Sequence, residues 1–318
     1  MDPHVARPLA SAPSALLSAR RVAIDPKHIA NAAEARALYL DNMRPDQSTA
    51  DWRYAKFLAR KVVINALRAS DRLRDIEGAL LKSGVHMLAF RHMLAPPMSQ
   101  DQFKLVCGPW VKGSEDRDGP LEREIAAAVA AAVQQRIDRS LAVLAQGDRR
   151  GIEGILRGTS TLIAVQKVAT ARRSRIAFEQ EYAVVELLEN DGWTKLPSKL
   201  IDTRAAVPPM SFMRKTRFAT KTTAPQEVDI ACGLKNSYVL AMECKVTNDE
   251  TNSVKRVNDV LKKASAWKDH WGSFVITAAL LQGVVAPKDV QRLADAGVYV
   301  FWSHKLNDFR TWISGQMA

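Results

Sequence analysis

Residues 226–256 read QEVDIACGLKNSYVLAMECKVTNDETNSVKR. Two short apolar runs, EVDIAC (227–232) and SYVLAMECKV (237–246), flank the turn-like GLKN (233–236). Runs of this length, bounded by Gly and Asn, predict two strands joined as a hairpin. Each run carries charge in an otherwise buried pattern: Asp229 in the first, Glu243 and Lys245 in the second. Side chains alternate along a strand. Val239, Ala241, Glu243 and Lys245 therefore share one face, and Tyr238, Leu240, Met242 and Cys244 the other. The hairpin brings Asp229 beside Glu243. Two adjacent carboxylates repel unless they are protonated or bound to a cation. A hard ion that keeps sites open for water and phosphate, Mg²⁺, suits them. A lysine beside the ion orients or deprotonates the attacking water and offsets charge on the phosphorane. Two acids, a lysine and a metal ion make a phosphodiester hydrolase.

The surroundings extend this pattern. SVKRVNDVLKKASAWKDHW (253–271) has helical spacing, and SFVITAALL (273–281) is apolar on both faces, as in a central strand. DVQRLADAG predicts a short helix, VYVFW (298–302) a strand and LNDFRTWI a last helix. Upstream, 172–190 predicts a helix with Phe178, Tyr182, Val185 and Leu188 on its apolar face and Gly192 as stop signal. The order from about 172 is that of an α/β sheet with crossovers. Residues 28–94 have helical spacing, with Asp51 as an N-cap, and Pro96-Pro97 end the run. Ser99-Gln-Asp101 is a further helix start, 108–120 a polar Gly/Pro loop, and 121–145 one alanine-rich helix stopped by Gly147. Residues 149–175 are basic, with Glu153 the one acid facing seven Arg and Lys. The Ala/Ser/Pro/Arg-rich start reads as a flexible arm. The expected division is an arm (1–27), a helical region for recognition or dimerisation (28–165) and a nuclease domain (166–318).

The net charge of +12 over 318 residues points to a polyanionic partner, of which nucleic acid is the commonest. Arg214, Lys215, Arg217 and Lys221, in MRKTRFATKTT, surround the acids with positive charge. No apolar run approaches the length of a membrane span. Cys107, Cys232 and Cys244 form no CxxC pair, so a reducing, cytoplasmic setting without zinc or disulfides is expected. GxxxxGK[ST], GxGxxG and GxSxG are absent, which weighs against nucleotide hydrolysis, dinucleotide redox chemistry and serine hydrolysis. His92, His270 and His304 lack metal spacing and read as structural.

The D-x₁₃-E-x-K string resembles the PD-(D/E)XK nucleases, with Val228 where the signature proline stands. ECKVTNDETNSVKR, VFWSHKLNDF and LAPPMSQD are similar to segments of the XamI-like type II restriction endonucleases, best over 172–312. The resemblance implies a mixed central sheet flanked by helices and preceded by a helical region. It implies Mg²⁺-dependent cleavage of double-stranded DNA at a short palindrome by a homodimer, with a cognate methyltransferase as genetic partner. The best-known members read GTCGAC. On that mapping Asp229, Glu243 and the Cys244 carbonyl hold the metal and Lys245 is the catalytic lysine. A further glutamate comes from the preceding helix, where Glu179, Glu181 and Glu186 are the choices and Glu181, beside the apolar face, is preferred. Asn252, Lys255 and Arg256 either contact DNA or belong to a capped helix. A repair or structure-specific nuclease, and a non-catalytic DNA-binding protein, are the competing readings.

Overall fold

The structure is a computed structural model and describes residues 24–42, 45–108, 113–116, 118–221 and 223–317. Positions 1–23 of the expected arm, and 109–112 and 117 of the expected loop, lie outside the described residues.

The first part is helical: α1 (Pro26–Asp41), α2 (Pro45–Ala69), α3 (Ile76–Lys82), α4 (His86–His92), α5 (Gln100–Cys107), α6 (Arg123–Arg136), α7 (Arg139–Gln146) and α8 (Arg149–Asn190). Local chemistry explains the ends. Asp25 accepts the Lys27 N–H to cap α1, and Ser99 and Gln102 form a reciprocal capping box on α5. Pro45 starts α2 earlier than expected, because its fixed φ already suits a first turn. Asp51 is thus inside α2, not its cap, and pairs with Arg175 at 3.2 Å. The alanine-rich segment is two helices, not one. Ile137 is extended and bridges Leu94, while Asp138 caps α7 by accepting the Ser140 N–H.

α8 is a single helix of 42 residues, so the helix expected over 172–190 starts at Arg149. Asp148 caps it by accepting the Arg150 and Gly151 N–H groups. Its bases find acids on elements distant in sequence: Lys167 pairs with Asp116 and Arg175 with Asp51 of α2, while Glu153 of α8 is taken by Arg60 of α2. Ile155 and Ile163 of α8 join a helical core with Val63, Leu80, Phe90, Phe103 and Val133. Its last turns pack on the sheet through Val184, Val185 and Leu188. Phe178 and Tyr182, expected on that apolar face, are exposed and stack on each other at 5.7 Å.

The second part is a mixed sheet of β1 (Thr194–Lys195), β2 (Leu200–Ile201), β3 (Ser211–Phe218), β4 (Gln226–Gly233), β5 (Val239–Thr247), β6 (Val275–Gly283) and β7 (Tyr299–Trp302). Its order is β1-β3-β4-β5-β6-β7, with β2 also on β3. β3, β4 and β5 run antiparallel; β5, β6 and β7 run parallel, joined by α9 (Glu250–Trp271) and α10 (Pro287–Asp295). α8 and α11 (Leu306–Gly315) cover one face, where Leu240, Met242, Ile230 and Leu280 meet Phe309 and Ile313. α9, α10 and α1 cover the other, against Ala279 and Leu281. The β4–β5 hairpin and the double-faced burial of β6 match the sequence reading. The basic segment MRKTRFATKTT, which the sequence marks only by its charge, contributes most of strand β3.

Candidate active site

β4 and β5 pair from Gly233↔Val239 to Ile230↔Met242, and the ladder stops there. The next residue of β4 is Asp229. Its Oδ2 accepts the Cys244 N–H at 2.8 Å, so a side chain replaces the backbone acceptor that the ladder no longer supplies. Glu243 lies one residue past Met242 on β5 and is wholly buried. The alternation that carries Val239 and Ala241 into the α9-side core carries Glu243 and Lys245 to that side too. Leu240, Met242 and Cys244 pack against α8.

Lys245 Nζ lies 2.5 Å from Glu243 Oε2 and 3.6 Å from Asp229 Oδ2. Lys215 of β3 bridges Asp229 Oδ1 at 2.6 Å and Glu181 Oε1 of α8 at 2.5 Å. Of the three helix glutamates weighed from sequence, Glu181 is the one drawn into this cluster. It is buried, and Arg214 donates to its Oε2 through Nε at 3.1 Å and a terminal nitrogen at 3.0 Å. Arg214 also lies over the Phe178 ring, 5.0 Å from its centre, which gives that exposed ring a partner. Lys215 has a left-handed backbone, φ +52°, inside a strand. Such strain persists only where the surroundings hold it.

A lysine outside the sequence reading completes the cluster. Lys263 of α9 reaches both Glu243 oxygens at 2.9 Å and the Glu227 carbonyl at 2.8 Å. Its signal was present in the sequence. Lys263 stands three residues after Val260 and four before Trp267, both buried, and so lies on the sheet-facing stripe of its helix.

Three carboxylates thus share four cationic groups. Burial pushes the Asp229 carboxyl up, but Lys245, Lys215 and the Cys244 N–H outweigh it and hold the group below its ordinary range. Burial, with Asp229 nearby, pushes Glu243 up despite its lysines. Burial alone would push Lys245 down, yet Glu243 and Asp229 raise it above the ordinary lysine range. The Cys244 thiol, pushed far up by burial, is not a nucleophile at neutral pH.

Among the described residues, no three His, Cys, Asp or Glu side chains stand grouped around a point where an ion could sit. The donor chemistry still suits a hard divalent cation. Asp229, Glu243 and Glu181 offer carboxylate oxygen only, and buried Glu243 requires a positive partner.

The predicted DNA-contacting residues separate into three kinds. Arg214 and Lys215 are engaged by the acids. Arg217 and Lys221 are exposed, and Arg217 stands opposite Glu227 in the β3–β4 register. Asn252 is tied into the start of α9, where Asp249 accepts its backbone and side-chain N–H groups; Lys255 and Arg256 are exposed on the next turn. The polar tail after β5 caps α9 through Asp249 and Asn252, and Lys255 and Arg256 stand exposed beyond it. His92 is tied into the helical core: its Nδ1 donates to the Leu88 carbonyl, and its Nε2 meets the Gln166 side-chain amide. No helix among the described residues is long and apolar enough to cross a membrane.

The type II restriction enzyme XamI of Xanthomonas campestris pv. amaranthicola is 26% identical over 189 residues, covering 58% of this chain and 67% of that enzyme. A crystal structure of protein VC1899 from Vibrio cholerae overlaps 83% of this chain and 57% of its own length. At a TM-score of 0.31 and 10% identity, that similarity is too low to define a shared fold. The profile of the XamI restriction endonucleases matches residues 71–302, from the end of α2 to the end of β7 and so across the whole carboxylate–lysine cluster. On that match the chain belongs to the XamI restriction endonuclease family, whose members are DNA-cleaving hydrolases.

Proposed function

We propose that this chain is a Mg²⁺-dependent type II restriction endonuclease. It cuts both strands of DNA at a short palindromic site, acts as a homodimer and leaves 5′-phosphates. The observation that carries the reading is the convergence of Asp229, Glu243 and Lys245 where β4 and β5 part, with Glu181 linked to them through Lys215. A PD-(D/E)XK nuclease core over 166–318, with 28–165 as the recognition or dimerisation unit, is the organisation that goes with it.

Asp229, Glu243 and the Cys244 carbonyl would hold the ion, with Glu181 as a further acid. When bound, Mg²⁺ polarises the scissile phosphate and acidifies water. Lys245 does the rest of the local work. In the metal-free cluster its ammonium is held by two carboxylates, which raise it above the ordinary lysine range. Beside the reacting phosphate it would orient the attacking water and offset charge on the phosphorane. Met242 and Leu240, packed against α8, keep the strand from shifting under these charges. Arg217, Lys221, Lys255 and Arg256 supply positive charge for phosphates or base edges, joined by Arg214, Lys215 and Asn252 when DNA rearranges the cluster. A cognate methyltransferase would protect the host's own sites.

The test is direct. Purified protein with Mg²⁺ is incubated with plasmid DNA, and the ends of the products are sequenced. Discrete fragments with one shared terminal sequence are expected, and GTCGAC is the first site to examine. A smear, or cutting confined to branched DNA, would favour a repair nuclease. Binding without cutting would favour the non-catalytic reading.

A further inference from the structure

We infer that Lys263 is a resident counter-ion: it occupies Glu243 in the metal-free protein and must withdraw before that carboxylate can bind a divalent cation. The inference rests on the metal-binding role proposed for Glu243. It assigns Lys263 a part that the D-x₁₃-E-x-K pattern does not contain.

Three observations carry it. First, Glu243 is wholly buried, and its two oxygens face Lys263 at the same distance, 2.9 Å. An ammonium placed symmetrically before both oxygens of a carboxylate takes the place a bound cation would take. Mg²⁺ sits about 2.0–2.1 Å from its oxygen ligands, and a second positive charge cannot share that space with an ammonium. Second, the other lysine on Glu243 has nowhere to go. Lys245 is two residues away on the same strand, is largely buried and is also drawn to Asp229. Lys215 does not touch Glu243; it bridges Asp229 and Glu181. Third, Lys263 has a retreat. Its Nζ already donates to the Glu227 carbonyl at 2.8 Å. Glu227 is exposed. A long side chain anchored on α9 can give up the Glu243 carboxylate and keep this carbonyl without any change in the sheet.

The consequence is a threshold. Bare, the three acids would repel, and Lys263 keeps the metal-free cluster folded. The same contact competes with the metal. When a binding-competent state is only a fraction of the molecules, apparent affinity falls by that fraction. With Lys263 on Glu243 in nine of ten molecules, the loss is about tenfold.

Calcium binding to metal-free protein, measured by titration calorimetry, tests this without any cleavage step. Lys263→Met is expected to bind Ca²⁺ about tenfold more tightly than the parent, and Lys263→Arg, which keeps the charge, close to the parent value. Equal or weaker binding by a folded Lys263→Met variant overturns the inference. So does a fall in melting temperature with no change in Ca²⁺ affinity, the result of a purely structural lysine. A second measurement uses the parent protein. Acetylation of Lys263, followed by mass spectrometry, is expected to rise when Ca²⁺ is added; unchanged reactivity overturns the inference. If neither protein binds Ca²⁺, the metal-binding reading of Asp229 and Glu243 falls with it. Parent binding that Lys263→Met leaves unaltered removes the counter-ion role alone.

Discussion

Asp229→Asn keeps the shape of the side chain and deletes one negative charge. In the native cluster Asp229 accepts the Cys244 N–H at 2.8 Å and the Lys215 ammonium at 2.6 Å, with Lys245 at 3.6 Å. Asparagine has one oxygen. It can keep the Cys244 N–H but then turns its NH₂ group toward an ammonium. The loss is therefore one charge-assisted hydrogen bond, about 1.5–3 kcal/mol, and Lys215 retains Glu181 at 2.5 Å, which places the expectation near the lower value. For a chain of 318 residues, about 1.5 kcal/mol lowers the melting temperature by roughly 2 °C. The pH dependence separates this cause from a packing defect. The native Asp229 carboxyl lies below its ordinary range. A depressed carboxyl contributes stability that is complete above the unfolded pKa and is lost as the pH falls through the native one. The gap between parent and variant should be full at neutral pH and close on acidification. Thermal melts followed by circular dichroism, in chelator and across that pH range, give the comparison. Equal melting temperatures at pH 7, or a gap that widens in acid, would refute the reasoning.

Other outcomes follow from the same geometry. Lys245→Ala should lower the cleavage rate by about 10²- to 10³-fold while DNA affinity in a Ca²⁺ gel-shift assay stays close to the parent; a variant that still cuts at the parental rate would displace Lys245 from the chemistry. Arg91→Ala should cost about 3–5 kcal/mol in urea unfolding, because Glu115 would be left buried and unpaired, its two contacts to Arg91 being 3.0 and 3.1 Å. Gly283→Ala should destabilise by at least about 1–3 kcal/mol, since φ is +90° there and a Cβ would stand 2.1 Å from the Thr247 carbonyl oxygen. Gel filtration at micromolar concentration should give a dimer in the presence of cognate DNA; a monomer under all conditions would count against the homodimer.

The parts of the molecule visible in sequence are those where one physical signal dominates. EVDIAC and LAMECK read as short apolar runs because apolar cores lie on both faces of the sheet, and the charged residues break those runs. β6 reads as a run of unbroken apolar residues because helices cover both its faces. β3 escaped notice for the opposite reason. Phe212, Met213 and Phe218 are buried, but Arg214, Lys215 and Arg217 between them obscure the period, and the left-handed Lys215 breaks it. α8 was seen only in its second half. Its first half carries arginines and lysines whose partners, such as Asp116 for Lys167, come from elements distant in sequence. The break after Arg136 was hidden likewise, since the Ile137–Leu94 bridge that causes it is a tertiary contact. Local propensity favours one helix through 121–145, and the fold overrides it.

The site was legible in its acids and in Lys245 and illegible in Lys263, and the asymmetry has a cause. A carboxylate in an apolar strand violates the pattern around it and is noticed. A lysine on a basic helix does not, even when, like Lys263, it lies on the buried stripe. Yet the acids are not there for chemistry alone. The β4–β5 ladder ends at Ile230↔Met242, and the Cys244 N–H beyond it would have no acceptor if residue 229 were apolar. An unsatisfied buried N–H costs about 1–3 kcal/mol, so Asp229 closes the end of the hairpin as well as facing the lysines. This sets a limit on mutational tests of catalysis here. Asp229→Ala removes the backbone acceptor and the charge together, and loss of cleavage would not distinguish a displaced β5 from a missing ligand. Asp229→Asn removes the charge and keeps the acceptor. If both variants lose cleavage but only Asp229→Ala loses the packing of β5 against α8, read as hydrogen-exchange protection of residues 239–244, the charge at residue 229 is what the reaction needs. If Asp229→Asn cleaves at the parental rate, the carboxylate serves the fold and the metal must be held elsewhere.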